Sequence, residues 1–412
     1  MSEVGVTRSL TIMMPPVPQA GRGSLAGRIL LVVGAAALLA GVPGLYKAGT
    51  LDITTVNQLG RFLCLSIAAL GIDLVWGYAG ALTLCQAMFF VFGGYAIGMH
   101  MALHGPLDPD GLPKCLSVVL SNVGHNTLPW FWRPFRTLSA ALFLGVALPG
   151  VFALIFGYFT FRSRVRGVYF SIITQATTFA VAMVFRKNEM CLCGTNGLTN
   201  FTTLAGFDLQ NTATKLGLYE LSALALVLIY LLCAFIVRSR LGRLLIAVRD
   251  NESRLRFAGY QPVLFKVFVF TLGAVIAGIG GMLYTPQNGI ITPFKMDPVV
   301  SVMMVAYVAV GGRGTLSGAV LGTIIVSYLE SYLTSNYPVI WMYVLGGLFI
   351  GITLAVPDGV VGAWRQFLTW LADRRIAGLR TQMATARAEL SAAAPPPVDG
   401  PAAPRPPAEV HR

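Results

Sequence analysis

Five neutral hydrogen-bonding side chains stand within or beside long apolar stretches of this sequence: Thr83, Gln86, Gln175, Thr177 and Thr178. Amides and hydroxyls are costly to place in hydrocarbon, and they match a small polar solute without net charge, so these residues are the candidates for a solute pathway. Gln86 and Gln175 lead the set because an amide both donates and accepts. The competing role for each is ordinary hydrogen bonding between helices. Asp73 also falls in an apolar stretch, close to its end, where a structural role beside a nearby arginine fits better than solute contact. Glu330 lies near the end of another stretch and is expected to be solvated. Catalysis finds no support: H-E-x-x-H, G-x-S-x-G and zinc-like CxxC patterns are absent, and the four histidines lie at helix ends, in a loop or in the tail. The chain is read as a non-enzyme, with no metal site.

Composition sets the elements that must hold these residues. Of 412 residues, 55% are hydrophobic and 11% charged, so lipid solvates most of the surface. The fold class is all-α: a polytopic membrane helix bundle of about ten transmembrane helices, predicted at 29–45, 59–77, 82–101, 138–161, 168–185, 218–237, 267–284, 298–310, 319–333 and 339–356. Several are shorter than about 20 residues, which predicts tilted or broken helices. With both termini inside, about 21 of the 30 Lys and Arg residues are cytoplasmic and about 9 external, and the opposite topology inverts that bias. The first run imitates a signal peptide but is expected to be an uncleaved helix held by Arg22 and Arg28. A net charge of +13 does not indicate nucleic acid, because the basic residues sit in short gaps without interleaved aromatics. Attraction to anionic membrane lipid accounts for it. The expected domains are a cytoplasmic leader (1–24), a transmembrane domain (25–367), and a basic helix with a disordered Ala/Pro-rich tail (368–412).

Residues 239–260 are too polar to cross the membrane, yet they carry helical spacing. Leu241, Leu244, Leu245 and Val248 recur on one face with Arg243 and Arg249 beside them. Asp250 or Asn251 can cap a second short helix, which ends at Ala258 and Gly259. The prediction is a cytoplasmic helix hairpin through which a soluble motor can grip the membrane domain. A solvated basic loop that merely fixes topology is the alternative. Nearby in the predicted topology, Gly77-Tyr-Ala-Gly80-Ala-Leu-Thr83 and Gly311-Gly-Arg-Gly314-Thr-Leu-Ser317 share G-x-x-G-x-L-[S/T]. That is either a parallel internal repeat or chance likeness of glycine-rich turns. Gly77, Gly80, Gly311, Gly312 and Gly314 are the hinge or turn candidates, with simple tight packing as the alternative. On the outer side, loops 102–137 and 186–217 are long, and Trp130 and Trp132 suit the interface. Cys115 can bridge to Cys191 or Cys193 if that compartment is oxidising; free thiols are the alternative.

The R-D-N-E stretch at 249–252, followed by Ala258-Gly259, resembles the coupling segment of permeases of the branched-chain amino acid and urea ABC importers. Residues 69–80 (ALGIDLVWGYAG), Arg166-Gly-Val-Tyr169 and residues 311–318 (GGRGTLSG) agree with that family in order and spacing, so the resemblance covers about residues 59–357. Loop 191–201, the long first outer loop and the overall length look more like the urea permease. Departures fall at Asp73, where Asn is more usual, and at Cys85-Gln86, where Gly-His is more usual. The resemblance implies a bacterial inner-membrane permease subunit that imports urea or a short amide. It would work with a second permease subunit, two cytoplasmic ATP-binding subunits and a periplasmic substrate-binding protein. Branched-chain amino acid import is the alternative, and a stand-alone secondary transporter or channel is the alternative of another class. Coupling to the ATPase is then expected at Arg243, Arg249, Asp250, Asn251, Glu252, Ala258 and Gly259. No cofactor is expected in this chain: it lacks G-x-x-x-x-G-K-[S/T], so ATP would be bound by the partner subunits.

Overall fold

Helix ends in this chain fall where local chemistry stops them. The computed structural model describes residues 34–363, apart from 109, 110, 124–126, 164, 166, 342, 345, 348–350 and 352–358. The predicted leader and tail, Arg164, Arg166 and most of the predicted tenth span lie outside the described residues. Met1–Val361 form one unit and Gly362–Arg412 a second.

The main helices are α1 (Ile53–Tyr78), α2 (Gln86–Leu103), α3 (Leu138–Arg162), α4 (Val168–Arg186) and α5 (Thr212–Arg238), then the hairpin helices α6 (Arg240–Asp250) and α7 (Glu252–Phe257), and finally α8 (Pro262–Asn288), α9 (Pro298–Gly311) and α10 (Leu316–Asn336). All except α6, α7 and α9 are long and apolar enough to cross a membrane, seven among the described residues, and α9 is a shorter apolar helix. Of the predicted first span, Ala37–Gly41 and Val42–Lys47 are helical.

Several spans expected to be short run longer. Asp52 caps α1, its carboxylate accepting from the Ile53 amide at 2.8 Å, so the helix starts before its apolar run does. Polar residues in its first turns find partners on α8: Asn57, in the added stretch, donates to the Gln287 carbonyl at 3.0 Å, and Arg61 to Asn288 at 3.2 Å. Pro262, at the first position of α8, and Gly289, in the left-handed region at φ 74°, set the limits of that helix.

The core lies where α1, α2 and α8 cross. Small residues let these backbones approach: a Cβ on Gly280 would meet the Cys64 carbonyl at 2.8 Å, and one on Gly71 the Gly273 carbonyl at 2.7 Å. Phe89 of α2 and Phe270 of α8, 5.6 Å between centroids, carry an aromatic cluster out to Phe152 and Phe156 of α3 and Phe170 of α4. α3 and α4 are the least buried of the long helices, and α4 leaves Ile172, Phe179 and Met183 exposed.

Loops predicted on one side gather at one end. They hold a two-stranded hairpin, β1 (Thr203–Leu204) and β2 (Phe207–Asp208), and a helix at Lys114–Val123, and Cys115 is bonded to Cys193. Cys191 stays free, and burial pushes its thiol above the usual value. Trp130 is exposed, but Trp132 is not at an interface: it is fully buried and donates to the Cys191 carbonyl at 3.0 Å. An indole with a partner for its N–H serves equally as a core residue, which sequence position alone does not reveal.

Candidate functional site

α1 changes its winding before it ends. Its last six residues, Asp73–Tyr78, form a π-helix, which takes carbonyls off the regular ladder. Two of these carbonyls are taken by arginines from distant segments. Gly77 accepts from Arg249 Nη1 of α6 at 2.7 Å, and Trp76 accepts from Arg313 Nε and Nη2 at 3.3 and 3.2 Å. The Arg313 guanidinium also lies 5.1 Å from the centre of the Trp76 ring. Burial, and then the Arg249 charge, lower the pKa of Arg313 from its ordinary value. Asp73, fully buried, accepts from the Gly314 amide at 2.7 Å.

The two echoing glycine turns therefore lie against each other. A Cβ on Gly77 would stand 2.6 Å from the Gly314 amide nitrogen, so only glycine allows the approach. Gly80 has φ 77°, and a Cβ there would meet Arg249 Cγ at 2.6 Å. Gly312 and Gly314 turn the chain at positive φ, and Gly311 backs onto the Gly318 carbonyl.

The hairpin is capped at each step. Ser239 Oγ accepts from Leu241 N at 3.1 Å, and Asn251, not Asp250, caps α7 by accepting from Arg254 N at 3.1 Å. Asp250 is exposed and pairs with Arg249 Nε at 3.2 Å. Ala258 and Gly259 end α7, their amides donating to the carbonyls of Arg254 and Arg256, with Gly259 at φ 84°. Leu245 and Val248 are buried, while Arg243 is exposed. Glu252 turns inward: its side chain is 13% exposed and accepts from Arg256 at 2.7 Å and from Lys266 of α8 at 2.9 Å. Outward, α7 presents Phe257, 93% exposed, and Arg254. A cavity of about 450 Å³ beside the hairpin is lined by Gly80, Gly167, Ser171, Arg249, Glu252 and Lys266. It brings the stretch around Gly167 to the border of the same site.

The predicted pathway residues divide. Segment 82–86 is laced to α4, with the Ser171 hydroxyl donating to Leu82 O at 2.8 Å and Leu84 N to Thr174 Oγ1 at 3.1 Å. Thr83 and Thr178 are buried along this seam, and Thr178 donates to Thr174 O at 2.8 Å. Thr177 is half-buried and donates to Ile173 O at 2.9 Å, within its own helix. Gln86 points the other way, donating to the Gly273 carbonyl of α8 at 2.6 Å. Gln175 differs: its amide N and O are buried without a hydrogen-bond partner among the described residues, in a groove shared with Leu84 and Pro298.

At the other end, α1, α8, α9 and α10 enclose a second cavity of about 420 Å³, lined in part by Arg61, Lys295, Tyr307, Ser327 and Glu330. Glu330, expected to be solvated, is half-buried on the wall of this cavity and accepts from the Tyr307 hydroxyl at 3.3 Å. Sequence reasoning singled out Glu330 but not the cations that share its cavity, and it assigned no role to Arg313 or Lys266. Arg313 had a signal, being the one charge in a glycine turn. Lys266 and the cavity cations had none, because their partners are remote in sequence.

Fold and site together define the class: a polytopic helical membrane protein whose capped basic hairpin is locked to its glycine turns. The particular family follows from comparison: the model of the branched-chain amino acid transport system permease component matches residues 54–353, well over half of the chain, and the chain belongs to that family. It is similar to the high-affinity branched-chain amino acid transport system permease protein LivM of Escherichia coli (strain K12), 24% identical over 361 residues, covering 82% of this chain and 76% of the relative. It is also similar to LivM of Salmonella typhimurium, 23% identical over 77% of this chain and 71% of the relative. The autoinducer 2 import system permease protein LsrC of Yersinia enterocolitica is 24% identical over 52% of this chain and 61% of its own length. No solved structure matches.

Proposed function

We propose that this chain is one of two permease subunits of an ATP-driven importer, taking solute from a periplasmic binding protein and powered by two cytoplasmic ATP-binding subunits. The observation that carries the reading is the Arg249–Gly77 bond, which joins the exposed hairpin to the end of a membrane helix. A motor that moves α6 and α7 through Arg243, Asp250 and the surface around Phe257 thereby moves α1. Glu252, Asn251, Ala258 and Gly259 keep the hairpin rigid enough to transmit that movement. The exposed face of α4 supports a pathway shared with the second permease, with Gln175, Thr177, Thr178 and Thr83 near it and Gln86 behind.

Two substrate readings have observations behind them. An amino acid carries an ammonium and a carboxylate, and the outer cavity offers Glu330 to the first and Arg61 and Lys295 to the second. The names of the LivM relatives support the branched-chain class. Urea or a short amide is the second reading, favoured by the unpartnered Gln175 amide and by the long outer loops. The test is uptake of labelled leucine and labelled urea by cells with and without the ATP-binding subunits. Loss of uptake of one of the two solutes without those subunits is expected. Flux through the purified chain alone, indifferent to ATP, would overturn the importer reading in favour of a stand-alone channel.

A further inference from the structure

Asp73 has no counterpart among the groups that hold the hairpin. It sits fully buried at the first residue of the π-turn, 241 positions away in sequence from the amide it accepts from. One carboxylate oxygen takes the Gly314 N–H, and the second has no hydrogen-bond partner among the described residues. The charges of Arg313 and Arg249 act on it, although neither forms a salt bridge with it among the described residues. Each arginine is instead bonded to a carbonyl three or four residues further along the same turn. A buried carboxylate is expensive, so its place here calls for a role.

The geometry points to Asp73 as a positioning residue for coupling: it pins the Gly314 turn to the π-turn and balances the two arginines, so that a pull on Arg249 moves both turns together. Without the carboxylate, the second turn would keep the exposed Arg313 contacts to the Trp76 carbonyl but would lose its one part-buried hydrogen bond to the first, from the Gly314 amide. Hairpin movement would then be lost as local slack. This role rests on the ATP-driven reading, and it predicts a failure of transmission, distinct from a failure of solute binding or ATP hydrolysis.

The test is the complete importer in lipid vesicles, comparing Asp73→Ala, Asp73→Asn, Arg249→Ala and the Asp73→Ala/Arg249→Ala double variant by labelled leucine and labelled urea moved per ATP hydrolysed. Asp73→Ala is expected to lower that ratio by about tenfold while hydrolysis continues, and the double variant to fall no further than the worse single one, because both act on one linkage. Asn keeps an acceptor for the Gly314 amide but not the charge, so an intermediate ratio is expected. If the alanine variant does not assemble, the decision passes to Asp73→Asn: an unchanged ratio there would overturn the inference. A wild-type ratio in Asp73→Ala, or fully additive losses in the double variant, would do the same. Absence of ATP-dependent uptake in the wild type would instead count against the importer reading.

Discussion

At Gly80 two demands meet in one residue: the backbone is left-handed, and the space a Cβ would take belongs to Arg249. Alanine there must either strain the turn or push the arginine off the Gly77 carbonyl. Gly80→Ala is therefore expected to cost about 1–3 kcal/mol, read as a lower thermal midpoint of the purified importer and a fall in uptake. An unchanged midpoint would mean that the junction yields freely. Trp76 and Arg313 show the same economy, since one arginine both bonds a freed carbonyl and covers the ring of the same residue. Two carbonyls at the end of the π-turn are thus each taken by an arginine from elsewhere in the chain.

At the scale of the element, the hairpin is a small rigid body fastened to α8 through Glu252. Replacing Glu252 by Lys would set three cations together where two are now compensated, and would loosen α7 from Lys266. ATP hydrolysis is expected to persist in Glu252→Lys while uptake falls by more than about tenfold; equal losses of both would mean that the hairpin only helps the subunits assemble. This element was the most legible part of the sequence, because its determinants are local: leucine spacing, a cap residue and a terminating glycine lie within a few residues of one another. Both inner glycine turns were legible for the same reason. What they touch was not. The bond from Gly314 to Asp73 joins residues whose separation leaves no periodic trace, and the length of α1 was underestimated because Asn57 fell before the predicted start at residue 59, although it is half-buried and bonded to the far end of α8.

Across the whole molecule, one end carries a covalent link in addition to its polar contacts. Hydrogen bonds join the glycine turns, while at the other end Cys115 is bonded to Cys193, 78 residues away. Cys115→Ser is expected to destabilise the purified protein by about 2–4 kcal/mol, seen as a lower thermal midpoint without reductant. Cys191→Ser should leave it unchanged, since that thiol forms no disulfide. Equal midpoints for both variants would show that the link adds nothing. The stretch enclosed by this bond contains α3 and α4, the two long helices buried least within the chain. The link closes that stretch into a covalent ring, so the loops at the disulfide end of this pair cannot drift apart, while the opposite end of α4 is stitched to segment 82–86 through Ser171 and Thr174.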